Sequence, residues 1–231
     1  MNTIEIPLRQ IVDLAYAPYN LAERLRGEEG LMSTSRLNTL DDSFRLVATT
    51  ANLGIRDWIT SCFPSNDYST FSGFRSIILD HRELPYRVVA SAGTYKIADV
   101  VNDIMFLCHF RTRQEQTLER FVRRHFVAKP HIFIGHSLGG YLSICGATHF
   151  RGNFVTINPG YARHLDVGIA RGLHLLSEED MIAGVIRKRL PRSRFVVPGS
   201  GHTHSPEFLD VDGHVSICID LLRDPKVVIP G

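Results

Sequence analysis

The chain has 231 residues, 44% of them hydrophobic and 22% charged, which is enough to bury a full core and far from the composition of a disordered chain. Its 26 basic and 24 acidic residues are dispersed and leave a formal charge of +2, so no strong field points to a nucleic-acid partner. The densest basic stretches, Arg120 to Lys129 and Arg187 to Arg194, read as solvated helix faces or ends rather than a phosphate-binding patch, with contact to an anionic lipid surface as a minor alternative.

The opening residues, MNTIEIPLRQ, contain an acid and a proline but no apolar stretch of signal-peptide length, and nowhere do about 18 apolar residues run uninterrupted. Cys62, Cys108, Cys145 and Cys218 are widely spaced among apolar neighbours, without a CxxC pair, and read as buried thiols. Together these features set the expectation of an intracellular, cytoplasmic protein. A single domain over residues 1–231 is expected, with 1–74 as an N-terminal extension packed on a core spanning 75–222.

Leu8, Ile11, Val12, Leu14, Ala15, Leu21 and Leu25 recur at helical spacing, which predicts a helix over Leu8 to Arg26 that is broken at Pro18 and stopped by Gly27 and Gly30. Polar residues from Ser33 to Ser43 predict a loop. Strands follow at Phe44 to Ala48, Arg75 to Asp80 and Arg87 to Ala90, the last two as antiparallel neighbours. The segment Arg45-Leu46-Val47-Ala48-Thr49 resembles Arg87-Val88-Val89-Ala90-Ser91 at an offset of 42 residues, but two copies do not make a repeat architecture. Helical periodicity covers Ile97 to Phe110 and Gln114 to Val127.

Beyond these, strand and helix alternate: strand His131 to Ile134, helix Leu138 to His149, strands Asn153 to Ile157 and Leu173 to Leu176, helix Met181 to Arg189, strand Arg194 to Val197, and a last helix His214 to Leu222. Such alternation predicts an α/β fold with a mostly parallel central sheet and helices on both faces.

Between the strand ending at Ile134 and the following helix lies Gly135-His136-Ser137-Leu138-Gly139-Gly140. A sharp strand-to-helix reversal needs glycines where side chains would collide, and it lifts the hydroxyl of Ser137 above the sheet edge at a helix N-terminus that favours negative charge. The competing interpretation makes Ser137 a simple helix cap. His136 is a structural residue of the turn rather than a base, because neighbouring side chains there point apart.

Gly-His-Ser-Leu-Gly-Gly resembles the form typical of class 3, fungal-type lipases within the α/β-hydrolase fold. Val88-Val89-Ala90-Ser91-Ala92-Gly93-Thr94, with Asp99 and Asn102-Asp103 after it, is similar to that family's oxyanion strand and its following helix. Phe154-Val155-Thr156-Ile157-Asn158-Pro159-Gly160 is similar to the strand and Pro-containing loop after its nucleophile helix. The likeness runs from Ser76 to Leu222. The family usually has Arg before Gly-Thr where this chain has Ala92, and the span from Thr94 to Ser137 is compact.

The resemblance implies a serine ester hydrolase acting through an acyl-serine, with lipid esters as substrate and no metal or organic cofactor. A small-ester esterase, thioesterase or acyltransferase would use the same groups, and a catalytically inactive binding protein is the alternative from another class. A serine needs a histidine to take its proton and a carboxylate to orient that histidine, and in this fold they follow in the order Ser, acid, His. The resemblance therefore implies Asp180 as acid, with Glu178, Glu179 and Asp166 as rivals. It implies His214 as base, with His204 and then His202 as rivals. Oxyanion donors would be the backbone N–H groups of Leu138 and Thr94. His202-Thr203-His204 has no third metal ligand at a matched spacing, so no metal is expected.

Overall fold

The structure is a computed structural model that describes residues 3–24, 42–50, 74–93, 113–160, 171–178, 194–197, 215–220 and 225–228. A seven-stranded sheet is formed by β2 (Phe44–Thr49), β3 (Ser76–His81), β4 (Arg87–Ser91), β5 (His131–His136), β6 (Asn153–Ile157), β7 (Arg171–Ser177) and β8 (Arg194–Val197), in that spatial order. β3 runs antiparallel to both β2 and β4, while β4 through β8 are parallel. The two similar segments at an offset of 42 residues thus occupy β2 and β4, on either side of β3. Parallel strands require crossovers. Two crossover helices are described: α2 (Arg113–Arg124) between β4 and β5, and α3 (Leu138–Phe150) between β5 and β6.

From β3 to β7 both faces of the sheet are buried, and side chains alternate between them with the two-residue period of a strand. Ile78, Val89, Phe133 and Phe154 pack with Leu118, Phe121 and Val122 of α2 and with Tyr141, Leu142 and Ile144 of α3. Ile77, Val88, Ala90, Ile132, Ile134, Val155, Leu173 and Leu175 point the other way. There they meet α1 (Leu8–Arg24) and a small second sheet. Helices therefore cover both faces, as the alternation implies. No helix among the described residues is long and apolar enough to cross a membrane.

Three expectations need correction. The helix expected over His214 to Leu222 is instead β9 (Ser216–Asp220), the centre of a three-stranded antiparallel sheet in the order β1 (Thr3–Pro7), β9, β10 (Lys226–Val228). Val215, Ile217 and Ile219 are buried at alternate positions, and β-branched residues with period two favour a strand once partner strands exist. Those partners, β1 with Ile4 and Ile6 inward and the three-residue β10, are too short to announce themselves by periodicity.

Nor does Pro18 break the first helix, which runs through it to Arg24. The proline removes one backbone hydrogen bond, a cost opposed by the burial of Ile11, Leu14, Ala15 and Tyr19 against the sheet. Among the cysteines, Cys145 is buried, whereas Cys218 is only partly covered, on β9 opposite Glu5 of β1. Cys62 and Cys108, the helices expected at Ile97 to Phe110 and Met181 to Arg189, and nearly all of the expected loop Ser33 to Ser43 lie outside the described residues.

Candidate active site

The carboxyl ends of β4, β5, β6 and β7 lie in register: Ser91 is level with Gly135, His136 with Ile157, and Ile157 with Leu175. The chain leaves all four strands at one edge of the sheet, where open α/β sheets carry their sites.

At the end of β5 the chain turns through Ser137, which has φ 54° and ψ −125° and is the residue at the N-terminus of α3. A positive φ is uncommon for a residue bearing a Cβ and costs on the order of 1–3 kcal/mol, sustained only where the surroundings over-determine it. The surroundings are specific. Ser137 N–H donates to the Ile157 carbonyl at 3.1 Å, and its carbonyl accepts from Gly160 N–H at 2.9 Å and Tyr141 N–H at 3.2 Å. Its side chain makes no capping hydrogen bond to the helix, which removes the simple-cap interpretation. Ser137 is half-buried, in contrast to His136 and Leu138 on either side, which are buried.

The glycines of the motif are steric requirements. A Cβ on Gly139 would run into the Ser91 carbonyl oxygen and sit 2.7 Å from the Ala92 carbonyl carbon, so β4 and the start of α3 touch through backbone alone. At Gly140 the obstacle is Pro159, 2.7 Å from a Cβ. Small and apolar residues continue through α3, which is buried from Leu138 to Ala147. With its first N–H groups lacking helical partners, this buried helix presents its positive end to the serine.

Gly93, just past β4, is wedged against the turn. A Cβ there would meet the Tyr19 hydroxyl at 2.7 Å, the His136 carbonyl oxygen at 2.8 Å and Ser137 Cβ at 3.1 Å. The N–H of Gly93 donates to the Tyr19 hydroxyl. The Tyr16 ring packs on His136, centroids 5.4 Å apart, which places that imidazole against α1. Burial, with Tyr19 beside it, pushes the Tyr16 phenol far above its usual range.

On the other side, Asn158 adopts φ 40°. Its side-chain carbonyl accepts Ser177 N–H at 2.7 Å, and its own N–H donates to the Leu175 carbonyl at 2.9 Å. The end of β7 is thereby pinned to the loop that also holds Ser137. Two strand spacings, about 10 Å, separate β7 from β5. Glu178, the rival acid nearest this strand, is exposed on the turn that follows it.

Ser137 and Leu138 are thus together in the turn, and Gly93, the position before Thr94, lies against Ser137. Thr94, Asp180, His204 and His214 lie outside the described residues, as do Asp166, Glu179 and His202. Among the described residues no group of three or more His, Cys, Asp or Glu could hold a metal ion. Sequence reasoning missed Tyr19 and Tyr16, which lie on a helix more than 70 residues away in the chain, and the clamp made by Asn158. The Asn-Pro-Gly sequence at 158–160 carried a signal for that clamp, since Asn tolerates positive φ and bonds nearby backbone.

The parallel sheet, with Gly-x-Ser-x-Gly forming a strained turn from a central strand into its crossover helix, is the α/β-hydrolase fold. Comparison with protein-family models and with curated proteins gives no match. Solved structures similar to the chain include the lipase from Rhizopus microsporus var. chinensis, with 12% identity, a TM-score of 0.47 and coverage of 80% of this chain and 72% of that one. The Lip2 lipase from Yarrowia lipolytica has 11% identity and a TM-score of 0.47, covering 77% and 74%. The Rhizomucor miehei lipase propeptide complex has 11% identity and a TM-score of 0.44, covering 84% and 70%.

Proposed function

We propose that the chain is one hydrolase domain that cleaves carboxylic esters, lipid esters foremost, through an acyl-serine formed on Ser137. The backbone of Ser137 carries this reading: a non-glycine residue is held at φ 54° at the carboxyl edge of the sheet, on a helix N-terminus, with no capping role for its side chain. Strain of this kind is characteristic of sites where geometry serves chemistry.

In the proposed reaction Ser137 Oγ attacks the ester carbonyl carbon while an imidazole accepts its proton. His214 is the proposed base and His204 its rival, with Asp180 as the carboxylate that orients the ring. The carbonyl oxygen becomes an oxyanion received by the N–H groups of Leu138 and Thr94. Collapse breaks the bond to the alcohol, which leaves with the proton from the imidazolium. Water then attacks the acyl-serine by the same route and frees the acid. The proximity of Gly93 to Ser137 supports placing a donor at the next residue, and the clamp from Asn158 to the end of β7 supports an acid from the loop that follows.

A chain-length series of nitrophenyl esters tests the substrate class. Lipid-ester hydrolysis requires kcat/KM to rise from acetate to long acyl chains and to vanish in Ser137→Ala. A maximum at acetate would favour the small-ester reading, and no turnover on any ester would overturn ester hydrolysis.

A further inference from the structure

Tyr19 is 2% exposed and belongs to the N-terminal helix, outside the segment whose sequence resembles a hydrolase. Its phenol oxygen nonetheless accepts the N–H of Gly93. Gly93 fills the gap between that hydroxyl and the nucleophile turn so closely that a Cβ would stand 2.7 Å from Tyr19 Oη and 3.1 Å from Ser137 Cβ. The pairing of β3 with β4 extends to the bond from Ala92 N–H to the Arg75 carbonyl, and the next N–H, that of Gly93, is taken by Tyr19. Tyr16 adds a second tie, with its ring centroid 6.1 Å from Tyr19 and 5.4 Å from His136.

We propose that Tyr19 is a positioning residue for oxyanion stabilisation: by accepting the Gly93 N–H it anchors the Ala92–Gly93 peptide beside Ser137, one residue before the proposed donor N–H at position 94. This rests on the serine-hydrolase reading above. An oxyanion donor works only when preorganised where charge develops, and a displacement of about 1 Å can cost on the order of 100-fold in rate. Phenylalanine at position 19 keeps the ring and the helix packing but leaves the Gly93 N–H without its acceptor, so the peptide is free to rotate toward another one. Because the donor acts on the transition state more than on bound substrate, the loss belongs in kcat rather than KM.

The test compares wild type with Tyr19→Phe in the full chain. Competent Ser137 is counted by fluorophosphonate titration, kcat per titrated site and KM are measured on one nitrophenyl ester, and Ki is measured for a trifluoromethyl ketone, whose adduct with serine carries an oxyanion. The expected result is kcat per site lower by about 10- to 100-fold, KM changed by less than about threefold, and Ki raised in parallel with the loss in kcat/KM. Wild-type kcat per site and Ki in the variant overturn the positioning role, even if its titre or melting temperature falls, and leave the hydrolase reading standing. Failure of wild type itself to titrate overturns both. Should Tyr19→Phe not fold, amide exchange in wild type decides: protection of Gly93 N–H comparable with the amides of β4 supports the bond, and exchange at the open-chain rate overturns it.

Discussion

If the Ser137 backbone is strained to serve chemistry, removing the Cβ should stabilise the protein while destroying its activity. Ser137→Ala keeps the Cβ and therefore keeps the strain at φ 54°, ψ −125°, whereas Ser137→Gly releases it. That conformation costs a residue with a Cβ about 1–3 kcal/mol. Glycine gives back roughly 0.4–1 kcal/mol through the larger entropy of its unfolded chain. The net expectation is a glycine variant more stable than the alanine variant by about 1 kcal/mol, corresponding to about 2–4 °C in Tm for a chain of this size. Urea unfolding of the two variants, with equal m-values as the check on two-state behaviour, reads the difference directly. Both variants should lack esterase activity. A glycine variant equal to or less stable than the alanine variant would refute the strained turn, since an unstrained site would show only the entropic penalty.

Acid should act on the fold in two stages. His174 is buried, with Nδ1 2.7 Å from the Thr156 hydroxyl, and burial lowers its pKa from 6.5 to about 4. The unfolded chain thus binds the extra proton first, and stability that is complete above pH 6.5 falls by roughly 3 kcal/mol as pH drops to about 4. His174→Gln should flatten that part of the pH–stability curve, and an unchanged slope would count against the buried neutral imidazole. Asp80 is bonded by Arg87 at 2.7 Å and Lys129 at 3.1 Å, chiefly through the Arg87 hydrogen bond, and its pKa is lowered to about 2. Its contribution, roughly 1–2 kcal/mol after solvent screening, is complete above about pH 4 and is lost as pH falls through about 2. Asp80→Asn should remove that second stage. It should also destabilise at pH 7 by about 1–2 kcal/mol, because the buried Arg87 guanidinium loses its counter-charge, and unchanged stability in chemical unfolding would contradict this. Gly139→Ala, which drives a methyl into the Ser91 carbonyl, should cost about 1–3 kcal/mol and most of the activity; a wild-type melting curve would disprove the contact between β4 and α3.

What the sequence disclosed followed the reach of its signals. Runs such as Ile132-Phe133-Ile134 and Phe154-Val155-Thr156-Ile157, buried on both faces of the sheet, are continuous and apolar, and alternation with helices announced the parallel sheet. Gly135 and Gly139 marked the turn because close backbone approach leaves only glycine. The C-terminal segment was misread because Val215 to Asp220 is short and apolar, a pattern shared by buried strands and helices, and its partner β1 lies more than 200 residues away. Pro18 was overrated as a breaker, since local propensity yields to the packing of Leu14 and Tyr19. Tyr19 could not be found from spacing at all: its contact with Gly93 joins residues 74 positions apart, on elements brought together only by the fold.

The central claim is that the oxygen of Ser137 is an activated nucleophile. Folded wild-type protein treated with a fluorophosphonate and mapped by peptide mass spectrometry should carry one adduct, on Ser137, absent from Ser137→Ala and from protein unfolded before exposure. No adduct on the folded chain, or an adduct elsewhere that persists in Ser137→Ala, would contradict it.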